Sequence, residues 1–376
     1  MQLPFAPRPV QPRPWALLAL TASLALAGCA SNGNAIGYYW QSVRGHVQLM
    51  GAAEPLEDWI ARTDISVPLR ERLQLAQRAR AFAVTELGLP DNASYRRYAD
   101  LKRPAAVWNV VAAPPYSLTL HTWCFPVTGC IGYRGYFDEA DARAEADRLA
   151  KGGLEVEVYG VPAYSTLGYM NWAGGDPLLN TFIGWPEGEF VRLLFHELAH
   201  QVVYAKGDTL FNESFATAVE RLGSARWLAQ ATPQAGTAFA ASEARRREFR
   251  ALTQATRERL AQIYAQENAA DKPAQKVAAM QAFRTDYAAL RTRWQATPAQ
   301  TAGYDRWVAG ANNASFGAQA AYNELVPAFE AVFEREGRDW HRFYDAVRTL
   351  SEQPQAQRHE ALRKLLPPEN KETPGA

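Results

Sequence analysis

The spacing of apolar positions along the chain changes from segment to segment, and each spacing predicts an element. "VPLRERLQLAQRARAFAVTELGL" places Leu69, Leu73, Leu75, Ala76, Ala79, Phe82 and Ala83 on one helical face, and Leu87-Gly88 with Pro90 ends that helix. "AAVWNVVAA" and "SLTLHTW" are short, β-branched and aromatic, as strands are. "FDEADARAEADRLAKGG" reads as a helix with acidic residues in its first turn and glycines beyond its end. "LEVEVYGV" alternates apolar with acidic positions, a one-sided strand. From about Glu189 to Lys206 the pattern is helical and apolar nearly all round. Gly207 then stops the helix, and Asp208 caps a second, antiparallel one from Thr209 to Leu222.

Beyond Gly236, Ala, Arg, Glu and Gln dominate long helical stretches, through "SEARRREFRALTQATRERLAQIYA" and again from Val277 to Trp294. Pro298 and Gly303 read as a break, and "NNASFGAQAAYNELVPAFEAVFEREG" as a helix pair interrupted at Pro327. The pattern predicts an α+β protein, predominantly helical, with a small β-sheet ahead of the Glu189–Lys206 helix and a helical C-terminal part. The implied organisation is a leader over 1–28, an α+β region over 29–235, a helical region over 236–366 and a loose tail over 367–376.

The 376 residues carry 40 basic and 39 acidic side chains, with 11% aromatic and 21% charged residues. This suits a globular protein. No basic stripe interleaved with aromatics calls for a nucleic-acid partner. At the N-terminus, Arg8 and Arg13 precede an apolar run from Trp15 to Ala27, a secretory signal too short to span a bilayer comfortably. It closes on Leu26-Ala27-Gly28-Cys29, which resembles a bacterial lipobox and implies a lipid anchor on Cys29. Ala30 and Ser31 follow rather than Asp, which points to the outer membrane, facing the periplasm. Residues 30–55 are expected to lead away from the bilayer. In an exported chain, Cys124 and Cys130 of "WCFPVTGC" suit one disulfide.

The chemistry concentrates in "VRLLFHELAHQVVYAKGDTLFNESFATAVERLG". His196 and His200, at i and i+4, can aim two imidazoles at one point, and neutral imidazoles suit Zn²⁺. Glu197, beside the first histidine, can reach a water on that ion, the His-Glu-x-x-His arrangement of zinc proteases. A catalytic zinc wants a third protein ligand and one open position. Glu213 and Glu220, at i and i+7 on the next helix, can both reach it, and spacing does not choose between them. A rival reading is a non-catalytic periplasmic binding or assembly lipoprotein that keeps zinc as a structural fixture. An intact Glu197 and only three nameable ligands argue against it.

"HELAHQ" followed by "NESFATAVE" resembles the gluzincin peptidases, most closely their aminopeptidase version. That resemblance implies a zincin-like core with Glu213 as the third zinc ligand and Glu220 as the carboxylate supporting the site. Two departures are the twelve residues between His200 and Glu213 and the missing Gly-Ala-Met-Glu-Asn segment. "FAVTELGLPDNASYRRYADL", "WCFPVTGCIGYRGYF", "AYSTLGYMNWAGGDPLLNT" and "NNASFGAQAAYNELVPAF" widen the likeness to the bacterial family called predicted aminopeptidases, many with lipoprotein signals. The implied reaction is peptide-bond hydrolysis by metal-activated water with Glu197 as general base. Tyr322 in "AAYNELVP" is the candidate oxyanion donor, with Tyr304 and Tyr164 as alternates. Tyr164, Ser165 and Thr166 of "GVPAYSTLGY" are candidates to line a cleft for an extended peptide substrate. His121, His341 and His359 read as structural or exposed.

Overall fold

The computed structural model describes residues 33–125, 129–168, 171–266, 270–319 and 324–366. Cys29, Tyr322 and the tail lie outside them. The chain forms two compact units, Met1–Val47 and Gln48–Ala376. The described part of the first is helix, the start of α1 (Gly33–Gly51). One of its turns is locked by the Ser42 hydroxyl, which donates to the Tyr38 carbonyl at 2.9 Å. No helix among the described residues is long and apolar enough to cross a membrane.

The second unit opens with β1 (Glu54–Pro55), α2 (Leu56–Ala61) and α3 (Val67–Thr85). Helix α3 starts where the Ser66 hydroxyl accepts the Leu69 N–H at 3.4 Å, and the stripe predicted from its spacing is the one buried, apart from the half-buried Leu69. Next come β2 (Arg97–Ala99), β3 (Val107–Ala113), β4 (Trp123–Phe125), β5 (Gly129–Ile131), β6 (Arg134–Tyr136), α4 (Glu139–Lys151), β7 (Glu155–Val161) and β8 (Leu178–Leu179). One small sheet has the order β1-β2-β8, with β8 parallel to β2. The other has the order β6-β3-β7, antiparallel throughout, with Val110 opposite Val158. Strands β4 and β5 form a hairpin in which Cys124 faces Cys130, and the two are disulfide-bonded. The expected strand "SLTLHTW" is a loop until Trp123. The Ser117 hydroxyl accepts the Thr119 N–H at 3.0 Å, a local turn that competes with strand pairing.

Among the described residues ten further α-helices follow: α5 (Asn180–Ile183), α6 (Glu187–Ala199), α7 (Thr209–Leu228), α8 (Pro233–Ala265), α9 (Lys272–Trp294), α10 (Pro298–Gly310), α11 (Asn313–Gln319), α12 (Val326–Arg335), α13 (Trp340–Ser351) and α14 (Gln355–Arg363). Two prolines begin helices instead of breaking them. Pro298 lies in the first turn of α10, behind a capping box of Thr297 and Gln300, and Gly303 sits inside that helix. Pro327 lies in the first turn of α12. Proline lacks only an N–H that a first turn leaves unpaired anyway.

Helices α3, α6, α7, α12 and α13 share one apolar core, and α8 to α11 build a second around Phe249, Phe283 and Phe316. Gly223 on α7 permits a close approach in the first core. A Cβ there would stand 2.8 Å from Leu87 and 3.1 Å from Phe195. The architecture is therefore mostly helical α+β, and it sets α6 and α7 side by side at its centre.

Candidate metal centre

Helix α6 is shorter than its apolar pattern suggests. It ends at Ala199, and His200 is its C-cap, still right-handed at φ −58° and ψ −20°. The expected extension to Lys206 is instead a series of tight turns, with Gln201 and Val202 bonding back three residues. The reason lies on α7. The Asn212 amide oxygen accepts the Ala205 N–H at 2.7 Å, and its nitrogen donates to the Ala205 carbonyl at 2.8 Å. That clamp supplies the backbone partners a longer helix would have provided. Gly207, at φ +78°, shapes the turn before α7 and does not end α6. Asp208 caps α7, accepting the Phe211 N–H at 3.1 Å.

Because α7 runs antiparallel to α6, successive turns of one meet successive turns of the other. Glu213 reaches both histidines: its Oε2 is 3.3 Å from His196 Nε2 and its Oε1 3.8 Å from His200 Nε2. The two Nε2 atoms are 3.2 Å apart. One ligand atom from each of His196, His200 and Glu213 lies within 4.8 Å of the others. Glu220, two turns on, contacts the far side of the first ring, with Oε2 2.9 Å from His196 Nδ1. Glu213 faces the point the two imidazoles share, and Glu220 stands behind His196.

The electrostatics follow from burial and crowding. Burial alone would raise Glu220, but Arg192 and His196 hold it down to about 2. Burial opposes a charge on His196, yet hydrogen bonds to Glu213 and Glu220 push its pKa well above the ordinary value. His200 is pushed down to about 4 by burial, with Glu213 opposing and His196 adding to the shift. Its Nδ1 is buried without a hydrogen-bond partner. Glu197 is pushed up to about 7, first by burial and then, against the pull of His196, by Glu213 and Asp176.

A model of the family described as "Putative aminopeptidase" matches residues 37–362. The chain belongs to that family. No curated protein and no solved structure matches it. Membership in this aminopeptidase family points to a peptidase acting on peptides.

Around the centre of this aminopeptidase-family chain, the structure adds residues that motif reading passed over. Asp176, fully buried, accepts the Thr166 N–H at 3.0 Å and its hydroxyl at 2.7 Å. It fixes the loop after β7, where Leu167 and Gly168 take positive φ. The loop delivers Ser165 to Glu197, whose ionised form a bond from the Ser165 hydroxyl favours. Ser165 also neighbours the Tyr95 hydroxyl and can favour its ionised form, although that hydroxyl makes no hydrogen bond of ordinary geometry. Tyr95 is buried and takes φ +63°, an uncommon conformation for a bulky residue. A polar mesh continues behind the helix end, where the Gln201 amide accepts from Asn92 at 2.7 Å and donates to Ser94 Oγ at 3.2 Å. Arg192, one turn before His196, is a further residue outside the motif, 3.1 Å from Glu220.

Of the cleft candidates, Ser165 stands beside Glu197, Thr166 is engaged with Asp176, and Tyr164 packs its ring 5.3 Å from Phe137. The alternate Tyr304 belongs to the second core, 4.9 Å from Phe249 and 5.0 Å from Trp294. His359 has a structural place: its Nε2 is 2.8 Å from Asp208 Oδ2.

Proposed function

We propose that this protein is a zinc-dependent peptidase of gluzincin type with a zincin-like core, in which His196, His200 and Glu213 hold the metal. The carrying observation is the convergence of those three ligand atoms within 4.8 Å. The donor set fits a divalent ion. Two imidazole nitrogens 3.2 Å apart, both facing a carboxylate, need a proton or a cation between them. Two nitrogens and one carboxylate are a composition that zinc takes when one position is left open for water. Glu220 fixes the tautomer, because a proton on His196 Nδ1 donated to its carboxylate leaves Nε2 as the free lone pair.

A bound Zn²⁺ supplies a Lewis acid that makes water acidic near neutral pH. Glu197 is positioned to take a proton from the attacking water and return it to the leaving amine. Ser165 and the Asp176-anchored loop hold Glu197 in place and border the peptide, with Tyr164 and Thr166 farther along the same segment. An oxyanion donor beyond the metal is assigned to Tyr322. We further propose that Cys29 carries a lipid, which places the protein at the bacterial cell envelope, on the outer membrane facing the periplasm. The proposed division is a signal over 1–28, a catalytic region over 29–235, a helical region over 236–366 and a tail.

The test is Glu197→Gln, read with a peptide-library digest and metal analysis. Retained zinc with cleavage reduced by about 10²–10⁴-fold is expected. Parent-like cleavage would falsify the mechanism.

A further inference from the structure

Helix α1 carries an exposed apolar stripe. Tyr39, Trp40, Val43 and Val47 are 46%, 69%, 57% and 61% exposed. At 3.6 residues per turn the four fall within an arc of about 100°. Gln41, Ser42 and Gly45 lie on the other side, together with the half-buried Tyr38 and the buried Leu49. A soluble helix normally turns its apolar stripe inward, and an exposed stripe marks a contact surface.

We infer that this stripe lies on a phospholipid bilayer, as an interfacial helix parallel to the membrane plane. This rests on the lipid-anchor reading of Cys29. Three observations favour lipid over a protein partner. The first is reach: Cys29 precedes Gly33 by four residues, at most about 14 Å of extended chain, so a lipid on Cys29 holds the helix at the surface. The second is composition: Tyr39 and Trp40 are the side chains that settle at the headgroup level, where an apolar ring meets water at its polar edge. The third is charge. Between Gly33 and Gly51 there is no acidic residue, and Arg44 borders the stripe, so nothing repels anionic headgroups. The lipid alone would tether a freely pivoting protein; a second, flat contact restricts the pivot and adds to binding.

The test places a polarity-sensitive fluorophore on the processed full-length chain through Trp40→Cys, Val43→Cys or Val47→Cys, with Gln48→Cys and Arg259→Cys as exposed controls. The protein is reconstituted in vesicles of phosphatidylethanolamine and phosphatidylglycerol that carry a headgroup-level nitroxide quencher. Quenching at 40, 43 and 47 several-fold stronger than at 48 and 259 is expected. Equal quenching at all five positions overturns the inference, as does shielding of the stripe by cross-linked copies of the chain. Intact mass shows separately whether Cys29 carries lipid. If it does not, the anchor reading fails by itself, and the same scan on protein added to vesicles from solution decides the inference by the same criterion.

Discussion

Glu220 divides its carboxylate between two partners: Oε2 lies 2.9 Å from His196 Nδ1, and Oε1 lies 3.1 Å from Arg192 Nη1. A ring gripped in this way cannot turn its Nε2 from the point it shares with His200 and Glu213. Glu220→Gln keeps the shape and removes the charge. Metal affinity should fall by about 10–100-fold with the helical signal unchanged. Competition with a chromogenic chelator measures it, and parent-like affinity would show that Glu220 does not orient the ring.

Ser165 belongs to no catalytic motif, yet it stands beside Glu197, carried there by a loop pinned to Asp176. Ser165→Ala removes the hydroxyl and little volume. It should lower kcat by roughly 10-fold, the worth of about one hydrogen bond to a charged group, with KM and zinc content unchanged. A matching rise in KM would assign Ser165 to substrate binding instead.

The pairing of His196 with His200 was legible in the sequence because i and i+4 on a helix point one way whatever surrounds them. The sheet strands "AAVWNVVAA" and "LEVEVYGV" were legible for the same kind of local reason, as was the disulfide. What required the fold was every relation across the chain. That Glu213 faces both histidines while Glu220 meets only His196 depends on how α7 packs against α6. Tyr95 and Ser165 approach Glu197 from segments far away in sequence. Boundaries failed where one residue type has two uses. Gly207 looked like a helix stop and shapes a turn, whereas Pro298 and Pro327 looked like breaks and start helices. Helix α1 escaped notice because its glycines and Asn34 weaken helical propensity.

Acid should loosen the attachment of the disulfide hairpin to α4. Glu145 on α4 is buried, and Trp123 Nε1 and Arg134 Nη1 reach it at 3.3 Å, with Arg148 Nε at 2.8 Å. Burial raises its pKa, but Arg148, Arg134 and Trp123 together carry it below the ordinary carboxylate value. A depressed folded pKa contributes stability that is present above the unfolded value, about 4.3, and is lost as pH falls through the folded one. Glu145→Gln should cost about 1–3 kcal/mol at neutral pH and lose part of the parent's decline below about pH 4. Denaturant unfolding across pH measures both, and parallel pH curves for parent and variant would contradict the argument.

The start of α7 is held from two directions through one carboxylate. Asp208 Oδ1 accepts the Phe211 N–H at 3.1 Å, while Oδ2 meets His359 Nε2 at 2.8 Å and Arg358 Nη1 at 3.5 Å, both from α14. The two roles separate by substitution. Asp208→Asn keeps an oxygen for the cap and loses the charge that faces α14. Asp208→Ala loses both and leaves the Arg358 guanidinium largely buried without its carboxylate. Asp208→Ala should therefore cost about 2–4 kcal/mol, and Asp208→Asn roughly half of that. Glu213 lies little more than a turn beyond the cap, so fraying there should weaken metal binding in the same order. If Asp208→Ala lowered stability but left zinc affinity at the parent value, the first turn of α7 would have to be held by Asn212 and the apolar core alone.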